Sequence, residues 1–285
     1  MTPAFHRSLT LAMGLAAMGS GLQAQETFST PSGRSTLTWY GQFNPAIVSF
    51  DDGGSTKTTF TDNASSNSRI GFDMDIDYPE QGTLRLKFET ALGFRQSSGI
   101  SQTSTPPEWR YGRANLRKLE AIWTADYGVI SVGQGSMASD GTAGSDLSGS
   151  GLTNTVAVSD PAGGFFFRQS DGTLSDIAIS DVFSDLDGAR RARLRYDTPT
   201  FSGFSVAAAY GQNVLTSGDD DDYYDAALRY RNTYGGTRVE AALGYGFRDR
   251  KNAADREDLV GSVSVRLDNG LNVTVASGER QKGGD

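Results

Sequence analysis

Residues 82–94 read Gly-Thr-Leu-Arg-Leu-Lys-Phe-Glu-Thr-Ala-Leu-Gly-Phe. On an extended chain Leu84, Leu86, Phe88, Leu92 and Phe94 point one way, and Thr83, Arg85, Lys87 and Glu89 point the other. One face is suited to hydrocarbon and the other to water. Strands of a soluble sandwich alternate too, but they are usually shorter and turn the apolar face inward. Here the pattern lasts for the about 9–11 residues that a tilted strand needs to cross a bilayer. It recurs from Ser35 to the last residues of the chain. The fold class that follows is all-β, a transmembrane antiparallel β-barrel with a greasy exterior and a charged, watery lumen.

The first 24 residues stand outside that fold. Arg7 precedes an apolar run from Leu9 to Ala17, and Leu22-Gln23-Ala24 is a small-residue cleavage site, so residues 1–24 read as a signal peptide and the mature domain as 25–285. The run is far shorter than the about 18 residues of a spanning helix. Mean hydropathy of −0.41 fits a barrel, because each membrane strand commits only alternate residues to lipid.

With no cysteine, an exported chain gets no help from disulfides, and the single histidine, His6, falls in the leader. The usual Ser-His and Cys-His pairs and zinc sites are therefore absent from residues 25–285, which argues against an enzyme and implies no cofactor. A net charge of −8 argues against a nucleic-acid partner.

Two further strands show the same division. Residues 35–50 set Leu37, Trp39, Phe43 and Ile47 against Thr36, Thr38, Tyr40 and Gln42; residues 69–78 set Ile70, Phe72, Met74 and Ile76 against Arg69, Asp73, Asp75 and Asp77. Across the Pro79-Glu80-Gln81 turn, parity allows either Asp77 with Arg85 and Asp75 with Lys87, or Asp75 with Arg85 and Asp73 with Lys87. Both registers put acids opposite bases inside the lumen. A two-residue Gly235-Gly236 turn pairs Arg231 with Glu240. At Asp268-Asn269-Gly270, a three-residue turn with Gly270 left-handed matches Val265 with Val273.

Tight turns near Pro79, Asp126, Asp171, Thr200, Gly235 and Asn269 alternate with long connections at 51–67, 96–110, 136–161, 183–189, 213–222 and 248–257, as barrel rims require. The tally is about 13 strands. A closed antiparallel ring needs an even number, and an open edge in lipid leaves backbone groups unpaired, so the sequence is expected to be C-terminally incomplete, with a parent of about 16 strands.

Tyr40-Gly41-Gln42-Phe43-Asn44-Pro45-Ala46, Asn67-Ser68-Arg69-Ile70-Gly71-Phe72, and Ala125-Asp126-Tyr127-Gly128 followed by Ile130-Ser131-Val132-Gly133-Gln134 resemble phrases of the Gram-negative general porin family. The likeness runs from about Ser35 onward. It implies a homotrimer of 16-stranded barrels in the outer membrane, passing ions and small hydrophilic solutes by passive diffusion. The chain lacks the family's terminal strand ending in an aromatic residue, and Gln134 stands where many members have arginine. By resemblance, the third long loop, 136–161, folds into the lumen as a constriction carrying Asp140, Asp146 and Asp160. The facing wall is expected to be the ladder Arg191, Arg193 and Arg195, with Arg85 and Lys87 as further candidates.

Asp219-Asp220-Asp221-Asp222 is read as a solvated loop face rather than a calcium site. Asp73, Asp75 and Asp77 imitate a calcium loop, but Tyr78 sits where its glycine is needed. Trp39, Trp123, Tyr127, Tyr196, Tyr210, Tyr230 and Tyr245 fit membrane-interface girdles. The leading function is a water-filled diffusion channel. A solute-selective sugar or anion barrel and a surface adhesin stand as alternatives.

Overall fold

The computed structural model describes residues 22–150 and 157–283. The expected leader therefore lies outside the described residues as far as 21, and residues 22–24 open the first strand.

Sixteen strands are present among the described residues: β1 (Leu22–Ser29), β2 (Ser35–Phe43), β3 (Pro45–Asp51), β4 (Thr56–Asp62), β5 (Arg69–Tyr78), β6 (Gly82–Ala91), β7 (Leu116–Ala125), β8 (Gly128–Ser136), β9 (Phe166–Arg168), β10 (Leu174–Ala178), β11 (Arg190–Asp197), β12 (Phe204–Gln212), β13 (Asp222–Tyr234), β14 (Thr237–Asp249), β15 (Arg256–Arg266) and β16 (Asn272–Lys282). Twelve of them form one antiparallel sheet in the order β1-β2-β5-β6-β7-β8-β11-β12-β13-β14-β15-β16, in which β1 and β16 are not paired with each other. The pairs β3–β4 and β9–β10 form separate two-stranded sheets. No helix of the described residues is long and apolar enough to cross a membrane, which says nothing of a crossing made by strands.

Three expectations are corrected. The tally of about 13 included 166–168 and 174–178 as wall strands and omitted 22–29; the wall has twelve. Strands of three and five residues are too short to cross a bilayer, so β9–β10 is a hairpin within the excursion that joins β8 to β11. The expected strand 35–50 breaks at Asn44, and Pro45 starts β3, whose register with β4 makes a hairpin of its own. Thus Ile47, 74% exposed, belongs to a loop hairpin rather than the wall.

The hairpin registers answer the charge pattern. Asp75 pairs with Arg85 and Asp73 with Lys87, the second of the two allowed registers. Glu80 takes a left-handed φ of 67° to close that turn. The Gly235-Gly236 turn sets Arg231 opposite Glu240, and Gly270 at φ 89° closes the three-residue turn that pairs Val265 with Val273.

Alternation then separates the two faces. Leu119, Val132, Leu194, Leu228, Leu243 and Val263 are all exposed on one side, and charged residues occupy the other. Aromatics gather at both rims of the apolar face. At one, Tyr78 lies 5.7 Å from Trp123, whose indole nitrogen donates to the Tyr127 hydroxyl at 2.7 Å; at the other, Tyr210 and Tyr224 are 5.1 Å apart. This is the distribution of a membrane-spanning sheet. The sheet has little apolar core of its own, since its apolar side faces outward. A small cluster of Ile100, Ala162, Phe165 and Ile179, with Phe50 against it, holds the loops together instead.

Candidate functional site

The excursion from β8 to β11 begins at a buried ion pair. Glu120 on β7 and Arg193 on β11 meet with both side chains 3% exposed. Arg193 also donates to the carbonyls of Ser136 (3.0 Å) and Gly133 (3.2 Å). Glycine is needed beside it: a Cβ at Gly135 would lie 2.3 Å from Glu120 Oε2 and 2.7 Å from Arg193 Nη2. Arg195 donates to Met137 O at 2.7 Å while held by both oxygens of Asp197. Two arginines of the expected ladder therefore fix the root of the loop.

From that root the chain turns across the inner faces of β13, β14 and β15. Asp225 accepts from the amides of Ala138 (3.0 Å) and Ser139 (2.7 Å) and from the Ser139 hydroxyl (2.6 Å). Arg229, four residues along the same face, donates to the carbonyls of Ala138 (2.8 Å) and Asp140 (3.0 Å). Ser262 Oγ accepts from Ser145 N at 2.9 Å and donates to Thr142 O at 2.7 Å, and Ser264 Oγ accepts from Leu147 N at 3.0 Å. On β14, a Cβ at Gly244 would lie 2.4 Å from Thr142 Oγ1. Buried backbone groups of a loop need partners, and here short inward side chains supply them. Sequence reading named none of these partners, although their inward parity in β13 and β15 was the available signal.

The three loop acids are dispersed. Asp140 is half-buried at the docked part of the loop. Asp146 caps Ser148, accepting from its amide at 2.9 Å and its hydroxyl at 2.7 Å. Asp160 lies in the helical turn Ser159–Ala162 and accepts from Ala157 N at 3.0 Å. Burial pushes its carboxyl above the usual range, and Asp185 adds to the rise. Residues 151–156 of the expected constriction are outside the described residues. Asp187, which the sequence did not single out, accepts from Gly141 N at 2.9 Å. Burial raises its carboxyl too, with Asp140 and Asp185 as nearby like charges.

The inner faces of β5–β7 carry charges of both signs. Arg85 binds Asp75 through two bonds, 2.6 and 3.1 Å, and Lys87 binds Asp73 at 2.8 Å. Glu89 holds Arg117 at 2.6 Å and Arg69 at 3.4 Å and accepts from Tyr40 Oη at 3.0 Å. Lys118 and Arg190 have no ion-pair partner among the described residues. Arg191, the remaining ladder arginine, lies over the Tyr223 ring at 4.1 Å. The charges of β5–β7 are thus largely paired, with Lys118 and, on β11, Arg190 left over as bases, while Asp140, Asp146, Asp160 and Asp187 collect on the loop side.

The acid run at 219–222 departs from expectation. Asp219 and Asp221 are largely buried and bind Arg248 at 3.4 and 2.7 Å, and Asp222 binds Lys251 at 2.9 Å. These contacts join two loops, so the run is a latch more than a solvated face. No group of three potential metal ligands occurs among the described residues.

The profile of the Gram-negative porin family matches residues 9–285. The chain belongs to the Gram-negative porin family. The family assignment agrees with the apolar exterior and rim aromatics already described, and it places this porin in the outer membrane. No curated protein matches it. Solved structures similar to it include an anion-selective porin from Comamonas acidovorans, at 16% identity over 86% of this chain and 72% of that one, TM-score 0.45. The outer-membrane protein OmpT of Vibrio cholerae matches at 16% identity over 89% and 76%, TM-score 0.42. OmpF of Salmonella typhi, in complex with daunomycin, matches at 12% identity over 90% and 82%, TM-score 0.40.

Proposed function

We propose that this porin forms a water-filled channel for passive diffusion of ions and small hydrophilic solutes, narrowed by the loop that starts at Ser136. The observation that carries the reading is the docking of residues 138–147 on the inner faces of β13–β15 by Asp225, Arg229, Ser262 and Ser264. A loop held against one wall leaves the opposite wall of large charged residues to border the passage. Asp140, Asp146, Asp160 and Asp187 lie on the loop side; Arg85, Lys87, Arg117 and Lys118 lie across from it.

An ion 5 Å from one fixed charge interacts by about 0.8 kcal/mol in water and about 3 kcal/mol at an effective dielectric of 20. Several such charges bias passage without binding tightly, and opposed signs orient dipolar solutes. In this reading Arg193 and Arg195 act through the loop root, and Arg191 through its place beside Tyr223. Lys118 and Arg190, which have no ion-pair partner among the described residues, favour anions over cations as the faster-moving ions. The active unit is proposed to be a homotrimer, exported with cleavage after Ala24.

Planar-bilayer recording tests the reading. Discrete ohmic steps are expected, with a reversal potential in a KCl gradient displaced toward chloride. Replacing Lys87 and Lys118 with glutamine should move that potential toward potassium. Liposomes that stay sealed to salt and sugars after incorporation of the protein would rule out the channel.

A further inference from the structure

At the rim, next to the loop root but outside the docked loop, five arginines line one cavity of about 510 Å3: Arg95 and Arg110 from the connection between β6 and β7, Arg117 from β7, and Arg190 and Arg191 from the start of β11; the Nη atoms of Arg95 are held by the carbonyls of Pro106 and Phe60. No carboxylate lines it. Of the five, only Arg117 has an ion-pair partner among the described residues, and that partner, Glu89, is shared with Arg69. The connection is tied beside the cavity by a hydrogen bond from the Arg113 guanidinium to the Ser217 hydroxyl of the loop between β12 and β13.

Buried polar atoms point the same way. Among the described residues, eight buried side-chain polar atoms have no hydrogen-bond partner, and four of them belong to residues that line this one cavity: Arg95 Nε, Arg191 Nε, Asn67 Oδ1 and Gln134 Oε1. The two Nε atoms are donors in need of an acceptor. For the two amides, oxygen and nitrogen occupy interchangeable positions, so a turned amide presents N–H where the orphan oxygen stands. Elsewhere several buried charges are neutralised at short range, as Arg193 is by Glu120 and Arg248 by Asp221. Arg190 and Arg191 are partly buried without counter-charges, which is costly, and the planar fork of arginine matches the oxygens of phosphate or carboxylate.

We propose that this cavity is a binding site for a tetrahedral oxyanion of the phosphate class, held by Arg190, Arg191 and Arg110 with Gln134 as a neutral donor. The site lies apart from the docked loop, so it can hold an anion whether or not current flows. Its ligand is either a free anion drawn in from outside or the phosphate of a lipid headgroup at the rim; both offer the same oxygens.

The test is calorimetric titration of the whole chain, folded in detergent, with inorganic phosphate in one arm and monomeric dihexanoyl phosphatidic acid in the other. Saturable binding is expected in at least one arm, and the arm that binds identifies the source. Arg190→Gln with Arg191→Gln should weaken it by about a hundredfold or more, since each of the two lost charged bonds is equivalent to about tenfold or more. Arg110→Gln, on an exposed loop, should weaken it severalfold and serves if the double variant does not fold. Arg34→Gln, exposed at the opposite rim, should leave it unchanged. No saturable binding in either arm, or equal affinity in the wild type and both cluster variants, overturns the site. Because the readout is binding, a channel that conducts without binding phosphate sinks this inference alone, and a protein that binds but does not conduct sinks only the channel.

Discussion

Replacing Asp225 with asparagine should release the inner loop while leaving the sheet intact. Its two oxygens accept from Ala138 N, Ser139 N and Ser139 Oγ at 3.0, 2.7 and 2.6 Å. An amide of the same shape keeps one oxygen, and its NH2 then faces a donor. If the oxygen stays on Ser139, the Ala138 bond is lost and the two others become neutral. A bond to a charged acceptor contributes about 1.5–3 kcal/mol and a neutral one about 0.5–1.5 kcal/mol. The three bonds share one acceptor group and do not add, so the net loss is about 3 kcal/mol. That corresponds to about two powers of ten in the balance between docked and released loop. Amide hydrogen exchange reads it directly: Ala138 and Ser139 should exchange about a hundredfold faster, whereas Leu243 and Val263 in the wall should not change. Open-channel current noise should rise in parallel. Exchange at Ala138 and Ser139 within about threefold of wild type would refute the assignment of Asp225 as the latch.

Leu194, 56% exposed on the outer face, should tolerate alanine but not arginine; Leu194→Arg is expected to cost about 2–4 kcal/mol in refolding from urea into lipid vesicles. Glu120→Ala leaves Arg193 charged and buried, with an expected loss of about 3–5 kcal/mol that Glu120→Ala with Arg193→Met should largely recover. Asp187 supplies a pH dependence. Its folded carboxyl is raised by burial, so between the ordinary carboxylate value and the raised one the folded state binds more protons than the unfolded. Docking should therefore strengthen as pH falls through that window and weaken as pH rises through it. Exchange at Gly141 and Ala143 tracks the trend, and Asp187→Asn should flatten it, with Asp140 and Asp185 as the remaining nearby acids.

The wall was legible because its residues alternate and its charges match across turns. Arg231 with Glu240 could be paired from the Gly235-Gly236 turn alone, and the structure gives that register. Asp75 with Arg85 needed a choice between two registers that parity could not make; the left-handed Glu80 decides it. What misled was period two itself, which a short loop hairpin shares with a membrane strand. Phe165-Phe166-Phe167-Arg168 before Asp171-Gly172 imitates a wall hairpin, and only the length of β9 and β10 separates them. β1 was hidden for the opposite reason. Gln25-Glu26-Thr27 is polar throughout, and its strand state comes from pairing with β2, not from its own pattern. At the candidate site alternation tells which residues face inward but not which inward residues meet the loop, since that depends on where a long connection lands.

The landing place nonetheless has a physical cause in the wall. Arg190 and Ser136 are direct partners across neighbouring strands, so the whole excursion leaves and returns at one point on the rim. Closing a long loop costs only slowly more with length, and such an insertion is tolerated if its backbone groups find partners. The inner faces of β5, β6 and β7 are filled by long charged side chains already paired with one another, such as Asp73 with Lys87 and Glu89 with Arg117. Most of their oxygens are already taken by neighbouring bases. The inner faces of β14 and β15 carry Gly244, Ser262 and Ser264, where the backbone can come close and hydroxyls can both donate and accept. The loop therefore settles on the wall of small residues, and the wall of large charged ones is left to water. Enlarging Ser262 to leucine should shift this balance, exposing Ser145 N and Thr142 O, which lose their shared partner. Accelerated exchange at Ser145 with an unchanged β14–β15 register would bear this out, and unchanged exchange would mean that the loop is held from its root alone.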